Sequence, residues 1–255
     1  MIVVACGDLH SGHRGGLTPP AWFDNGERPS NLRALQEEGW KRWKKLAKKY
    51  AKPDVLICNG DAIDGRGERS GSRELVSVDR MDQVHMAQTC LSQFRAKHVV
   101  LSRGTPYHTG NIEDFEDLIA ERLGAEIHNH PFIDIGGVMF DVKHKVGGSQ
   151  IPHGRHTAIA RARLQNVLWS LRETQPKAAV LLRSHVHFHN YCGGADWLAM
   201  TLPCLQMGSD YGTRQCEGIV DWGIVVFDIE KGRVKSWQAE TTQLVAGKSQ
   251  VLKYS

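Results

Sequence analysis

Hydrophobic and polar positions along this chain follow two rhythms, short unbroken apolar runs and longer amphipathic stretches, and their order predicts strands alternating with helices. Val3 to Ala5 is an apolar run that stops at Gly7-Asp8, the form of a buried parallel strand ending in a loop. Residues 11–30 hold Gly-Gly, Pro-Pro and Asn-Gly and predict a loop. Ser30 is placed to cap a helix whose apolar positions are Leu32, Leu35, Trp40, Trp43, Leu46, Ala47 and Tyr50. Pro53 introduces a second strand, Val55 to Cys58, which ends in Asn-Gly-Asp, and Gly65 to Glu74 is a loop rich in Gly, Arg and Ser. A helix of about sixteen residues from Asp79 leads to a third strand, His98 to Ser102, closed by Gly104. Ile112 to Leu123 predicts a helix stopped at Gly124. Such alternation builds a sheet with parallel central strands.

The second half is patterned differently. Phe132 to Ile135 and Val138 to Val142 alternate around Gly136-Gly137, a hairpin signal. A helix is expected from Thr157 to Arg172, then strands at Ala179 to Leu182, Trp197 to Leu202, Gly223 to Ile229 and, after a Lys231-Gly232 turn, Val234 to Glu240. With no internal repeat or linker, residues 1–255 read as a single domain of two packed sheets with helices outside.

Composition narrows the class. The 255 residues carry 32 Lys+Arg against 28 Asp+Glu, a net charge of +4, with 41% apolar and 24% charged positions, which excludes a disordered chain, a collagen-like fibre and a coiled coil. No apolar run approaches the roughly 20 residues of a membrane-spanning helix, and Met1 to Cys6 lacks the basic leader and cleavage site of a signal peptide. Six cysteines (Cys6, Cys58, Cys90, Cys192, Cys204, Cys216) occur without a Cys-x-x-Cys pair. They predict reduced thiols, buried at Cys6 and Cys58, and a cytoplasmic protein. A charge of this size permits nucleic acid as a partner without demanding it. Thirteen histidines carry more information, because imidazole is the commonest metal ligand.

Four strand ends deliver metal-binding residue types: Asp8-Leu9-His10, Gly60-Asp61-Ala62-Ile63-Asp64, His144, and Ser184-His185-Val186-His187. In an extended segment, residues i and i+2 point the same way, so Asp8 with His10 and His185 with His187 can each present two ligands to one cavity. Singly, each has a plainer reading: a polar strand end for Asp8-x-His10, a turn or helix cap for Asp61 and Asp64, a solvent-facing stripe for His185, His187 and His189, a surface imidazole for His144. The ordered set, each member following an apolar strand, favours a site at the carboxyl edge of a sheet.

That order resembles the calcineurin-like metallophosphoesterase superfamily, whose pattern is Asp-x-His, Gly-Asp-x-x-Asp, Gly-Asn-His-Asp/Glu, an isolated His and Gly-His-x-His; the resemblance runs from residue 8 to about 189. It implies an α/β fold, a four-layer αββα sandwich of two mixed sheets flanked by helices, and two divalent metal ions. Carried over by position, Asp8, His10 and His187 hold the first ion, Asp61 bridges both, His144 and His185 hold the second, and Asp64 supports them from behind. It further implies hydrolysis of phosphate esters, phosphodiesters first and nucleic acid among them, by a metal-bridging hydroxide.

The chain departs from the pattern in two places. Ser184 replaces the Gly of Gly-His-x-His, and Gly104-Thr105-Pro106-Tyr107-His108 stands where Gly-Asn-His is expected. Thr105 then takes the place of the Asn that ligates the second ion, and His108, displaced by two residues, becomes the candidate proton donor to the leaving group. This Gly-Thr-x-x-His variant looks similar to members associated with phages and prophages. An oxygen-and-imidazole donor set suits Mn²⁺ foremost, with Fe, Zn or Ni as alternatives.

Arg66, Arg69, Arg73 and Arg103 are candidate phosphate contacts, or else members of a solvated loop. His13 is a candidate substrate contact, and His153 and His156 near the next helix start are either substrate contacts or surface groups, with the surface reading favoured. Two rival readings stay open. One is a non-catalytic or weakly active phosphoesterase-fold protein that binds a partner. The other is a DNA-binding module using the basic face of the first helix, Lys41, Arg42, Lys44, Lys45, Lys48 and Lys49.

Overall fold

The first strand sorts its side chains by parity. In β1 (Ile2–Cys6) Val3 and Ala5 point into one apolar cluster and Val4 and Cys6 into another, because successive strand residues face opposite sides of a sheet. A strand buried on both faces requires something on each, and that requirement generates the layers. The computed structural model describes residues 1–24, 32–68, 71–110, 112–149, 151–208 and 220–244; Ser30, Arg69 and Cys216 lie outside the described residues.

The first sheet has the order β11-β10-β1-β2-β3-β4, with β2 (Val55–Asn59), β3 (His98–Ser102), β4 (Glu126–His128), β10 (Trp222–Glu230) and β11 (Arg233–Thr242). Its β1 to β4 run parallel and β10 and β11 antiparallel. The second sheet has the order β5-β6-β7-β9-β8, with β5 (Phe132–Ile135), β6 (Val138–Val142), β7 (Val180–Arg183), β8 (Asn190–Gly193) and β9 (Leu198–Thr201), and it too is mixed. Val3, Ile57, Val225 and Phe227 of the first sheet pack on Phe140, Val142, Leu182 and Met200 of the second. Phe140 and Phe227 meet edge to face at 5.4 Å between ring centroids.

Helices cover the outer faces. On the first sheet lie α1 (Leu32–Lys49), α2 (Arg80–Leu91) and α4 (Phe115–Leu123). Trp43 of α1 is fully buried there against Phe94, its indole N–H donating to the Cys90 carbonyl at 2.9 Å. On the second sheet, α5 (Arg155–Leu171) sets Ile159 over Leu181 and Ala199. The architecture is the expected αββα sandwich of two mixed sheets. Among the described residues no helix is long and apolar enough to cross a membrane. Cys6 and Cys58 are buried thiols, as expected.

Four elements differ from the sequence reading. The helix expected from Ile112 begins at Phe115, because the Asp114 carboxylate accepts from the Glu116 N–H and caps it there, leaving Ile112 99% exposed. The short strands β4 and β8 carry too few apolar residues to signal themselves. A one-turn helix, α3 (Pro106–Thr109), follows β3 where no element was expected.

Candidate metal centre

The ligand candidates stand beyond the carboxyl ends of strands, and at five of them the backbone is left-handed. Asp8, His10, Asp61, His185 and His187 have φ of 50°, 45°, 50°, 75° and 58°. Left-handed non-glycine residues are uncommon and concentrate at functional sites. The chain coils as it leaves β1, β2 and β7, so Asp8 and His10 come together by coiling instead of by the expected period of two, while His185 and His187 go to separate clusters. The coils lock together through Asp8 N–H to the Gly60 carbonyl (2.9 Å), His10 N–H to Asp61 O (3.0 Å) and His185 N–H to Asp8 Oδ2 (3.1 Å).

Two triads of donor atoms result: Asp8, His10 and His187, and Asp61, His144 and His185, the atoms of each within 4.8 Å of one another. In the first, His10 Nε2 lies 3.2 Å from His187 Nε2, and His187 Nε2 lies 3.4 Å from Asp8 Oδ1. In the second, His144 Nε2 lies 3.0 Å from Asp61 Oδ2. Asp8 Oδ1 is also 3.9 Å from both His10 Nε2 and His144 Nε2, so it faces imidazole nitrogens of both triads.

The ring tautomers suit a cation. His144 Nδ1–H donates to the Asn59 carbonyl at 2.7 Å, which leaves Nε2 as a lone-pair donor; that atom is buried and, despite its nearness to Asp61, makes no hydrogen bond. His10 Nδ1–H donates to Asp64 Oδ1 at 2.9 Å, freeing His10 Nε2 in the same way. Converging lone pairs, with carboxylates among them, make the donor set of a borderline divalent ion, and the residues fit one.

Burial and mutual charge set the protonation states. Burial pushes Asp8 and Asp61 up, but His187 and His144 beside Asp8, and His144 beside Asp61, outweigh it and hold both carboxyls below the ordinary value. Asp64 is likewise held down, by its bond to His10. Burial, with His108 nearby, lowers His10 to about 4 in spite of Asp64. Burial also lowers His144, but Asp61 and Asp8 carry it up to about 9. Burial lowers His185. His187 rises well above its ordinary value, since the Cys204 sulfur and Asp8 overcome its burial.

Thr105 and His108 show how the chain accommodates its departure from Gly-Asn-His. Thr105 is the N-cap of α3, but its hydroxyl donates to Asp61 Oδ1 and Oδ2 (3.1 and 3.2 Å) and its N–H to Oδ1 (2.6 Å), orienting that carboxylate. One turn of α3 then brings His108 over His10, ring centroids 4.6 Å apart. His108 Nδ1–H donates to the Asp64 carbonyl at 2.8 Å, and His10, Asp64 and His108 form a third cluster of possible ligand atoms.

Beside the second triad opens a cleft of about 490 Å³ lined by Arg103, Tyr107, His108, Lys143, Lys145 and His185, among others. Arg103 reaches it but is already tied to Asp117 and, at 3.5 Å, to Asp114. Arg66 and Arg73 are exposed and outside the cleft lining. His13 is buried, its Nδ1 accepting from the Gly15 N–H at 2.9 Å and its Nε2 3.8 Å from Glu74. His153 and His156 are exposed and outside the cleft lining.

Two residues that sequence reasoning missed hold these loops in place. Glu116, fully buried, accepts from Ala62 N–H and Gly104 N–H, both at 2.7 Å, and so clamps the loop after β2 to the loop after β3. Burial and nearby Asp61 raise it to about 8. Gln83, also fully buried, accepts from Gly65 N–H and donates to Gly65 O, both at 2.8 Å. An acid in the first turn of a helix reads as a dipole partner, so nothing local marked Glu116 out.

Fold and ordered motifs together resemble the calcineurin-like metallophosphoesterases. No protein-family model matches the sequence, and no curated protein is similar to it. Among solved structures the chain is similar to wild-type Vps29 of Entamoeba histolytica complexed with Zn²⁺, at 13% identity and a TM-score of 0.44, covering 96% of this chain and 99% of that one. It is also similar to an archaeal phosphodiesterase (12%, TM-score 0.47, 95% and 100%) and to a predicted phosphoesterase of Streptococcus pneumoniae (10%, TM-score 0.39, 94% and 97%). Likenesses this distant carry no argument about activity, which rests on the site itself.

Proposed function

We propose that this chain is a two-metal phosphoesterase acting on phosphodiesters in the cytoplasm, with Asp8, His10 and His187 holding one divalent cation and Asp61, His144 and His185 the other. The observation that carries the reading is the pair of donor triads sharing one buried floor, with the unbonded Nε2 of His144 aimed between carboxylates. Bound cations supply Lewis acidity toward the phosphoryl oxygens and toward water.

The remaining work falls to the chain's own side chains. Asp64 orients two imidazoles at once, His10 through Oδ1 and His108 through its carbonyl. With Nδ1 so engaged, His108 keeps Nε2 for the cleft it lines, and protonated there it donates to the departing ester oxygen. Glu116 and Thr105 restrain the loops that carry Asp61, which preorganises the site before substrate arrives.

A non-catalytic reading draws on one specific feature, the Thr105 hydroxyl being spent as a donor to Asp61 in the place where the pattern has a ligating Asn. Turnover of bis(p-nitrophenyl) phosphate across Mn²⁺, Fe²⁺, Zn²⁺ and Ni²⁺ separates the two. The enzyme reading expects two ions bound per chain and turnover that falls by about 100-fold or more in Asp61→Asn. One bound ion with no turnover under any metal overturns it in favour of the scaffold.

A further inference from the structure

We infer that Lys143 and Lys145 form a second phosphate site beside the metal centre, and that the substrate is a single strand of nucleic acid whose neighbouring phosphate rests there. The inference deepens the phosphodiesterase reading and depends on it for the identity of the scissile bond.

The two lysines flank His144 in sequence, both are exposed, and both line the cleft that opens beside Asp61, His144 and His185. Their charges are unspent. The lysine ion pairs among the described residues involve Lys49, Lys97, Lys177 and Lys235 and leave these two out. The third cation of the lining, Arg103, has its charge offset by Asp114 and Asp117. No carboxylate belongs to the lining itself.

Two lysines outside any ion pair among the described residues, lining a cleft that also holds His144 and His185, favour a ligand with one anionic group at the candidate metal site and another next to it. A lone phosphate monoester leaves the lysines with nothing to meet. A phosphodiester strand fills both positions, because each phosphate has a neighbour one nucleotide away. Tyr107 lines the same cleft and stands edge-to-face with His108 at 4.8 Å, an aromatic ring of the kind on which an unpaired base stacks. At about 490 Å³ the space is of small-ligand size and takes a nucleotide or two in place of a duplex. Of the arginines offered by the sequence as phosphate contacts, Arg103 lines this cleft and Arg66 does not, and Lys143 and Lys145 adjoin a candidate metal ligand.

The test compares the wild-type protein with the Lys143→Gln/Lys145→Gln double variant, whose exposed positions leave the fold intact by circular dichroism. Hydrolysis of a short oligothymidylate is measured beside that of bis(p-nitrophenyl) phosphate. The oligonucleotide's kcat/KM is expected to fall about tenfold further than that of the small diester, chiefly through KM. Fluorescence anisotropy of a labelled oligothymidylate is expected to show a log–log salt slope shallower by about 0.7, the value for one lost phosphate contact on a single strand. Equal losses on both substrates, or an unchanged slope, overturn the second phosphate site. Preference for duplex DNA or for a dinucleoside polyphosphate overturns the single strand as substrate. If neither ester is hydrolysed under any metal, the phosphodiesterase reading fails, and the anisotropy slope still decides whether the lysines bind phosphate.

Discussion

His144 shows most clearly how individual side chains are prepared at this site. Asn59 takes its Nδ1–H, Asp61 and Asp8 face its Nε2, and without a cation that arrangement favours a proton there, raising the imidazole from 6.5 to about 9. For a group whose folded pKa is raised, the stabilisation is complete below the unfolded value and is lost as pH climbs through the folded one. The metal-free protein is therefore expected to lose stability between about pH 6.5 and 9. A cation has to displace that proton, so metal affinity rises with pH over the same window and binding releases protons. Titration calorimetry of Mn²⁺ at pH 7 in buffers of different ionisation enthalpy measures the release; a proton count of zero would contradict this account. The candidate donors stand out in the sequence, because only a few residue types ligate metals and here they follow apolar runs in order, and the structure clusters them. Glu116 was not, since its role exists only once Ala62 and Gly104 arrive on either side of it.

Among the elements, the strand-end coils and α3 decide what the site becomes. A two-residue displacement of His108 would be disabling in an extended loop, but Pro106 at the first helical position starts a turn that returns His108 to Asp64. The turn leaves no spare room. A Cβ on Gly104 would collide with Asp61 Oδ1 and with the Asp61 backbone nitrogen. Gly104→Ala is thus expected to displace Asp61, cost about 1–3 kcal/mol of stability as overpacking does, and weaken Mn²⁺ at the second triad about tenfold or more while the first triad still binds. Mn²⁺ titration followed by electron paramagnetic resonance, with thermal melts alongside, reads both effects. Two intact sites of unchanged affinity would show that the β3–α3 loop does not determine Asp61's position. The long elements were readable from period alone. Helix α3 was not, because four residues carry no periodicity.

At the scale of the whole molecule, the candidate metal site joins the two sheets. Asp8, His10 and Asp61 leave β1 and β2 of one sheet, whereas His144, His185 and His187 leave β6 and β7 of the other. Any loss at the interface between the sheets is therefore coupled to metal binding. Phe227→Ala removes the ring that meets Phe140 in that interface and is expected to cost about 3–5 kcal/mol. Mn²⁺ at about 100 times its Kd returns about 2.7 kcal/mol per site, because it binds only when both sheets are in place. Denaturant unfolding with and without Mn²⁺ measures each figure. Equal stability of the variant with and without Mn²⁺ would mean that the triads do not close on one cation across the sheets.

The sequence by itself determined the long strands and helices, their packing as two sheets with helices outside and the candidate donors, since periodicity and residue chemistry are local properties. Only the tertiary structure decided that Lys143 and Lys145, and not Arg66, line the cleft, that the Thr105 hydroxyl turns to Asp61, and that Glu116 clamps two loops. Those are matters of which groups meet across separations such as the 54 residues between Ala62 and Glu116. Such meetings depend on how the strand ends coil and stack, and a side chain acquires its function from the neighbours that packing brings to it.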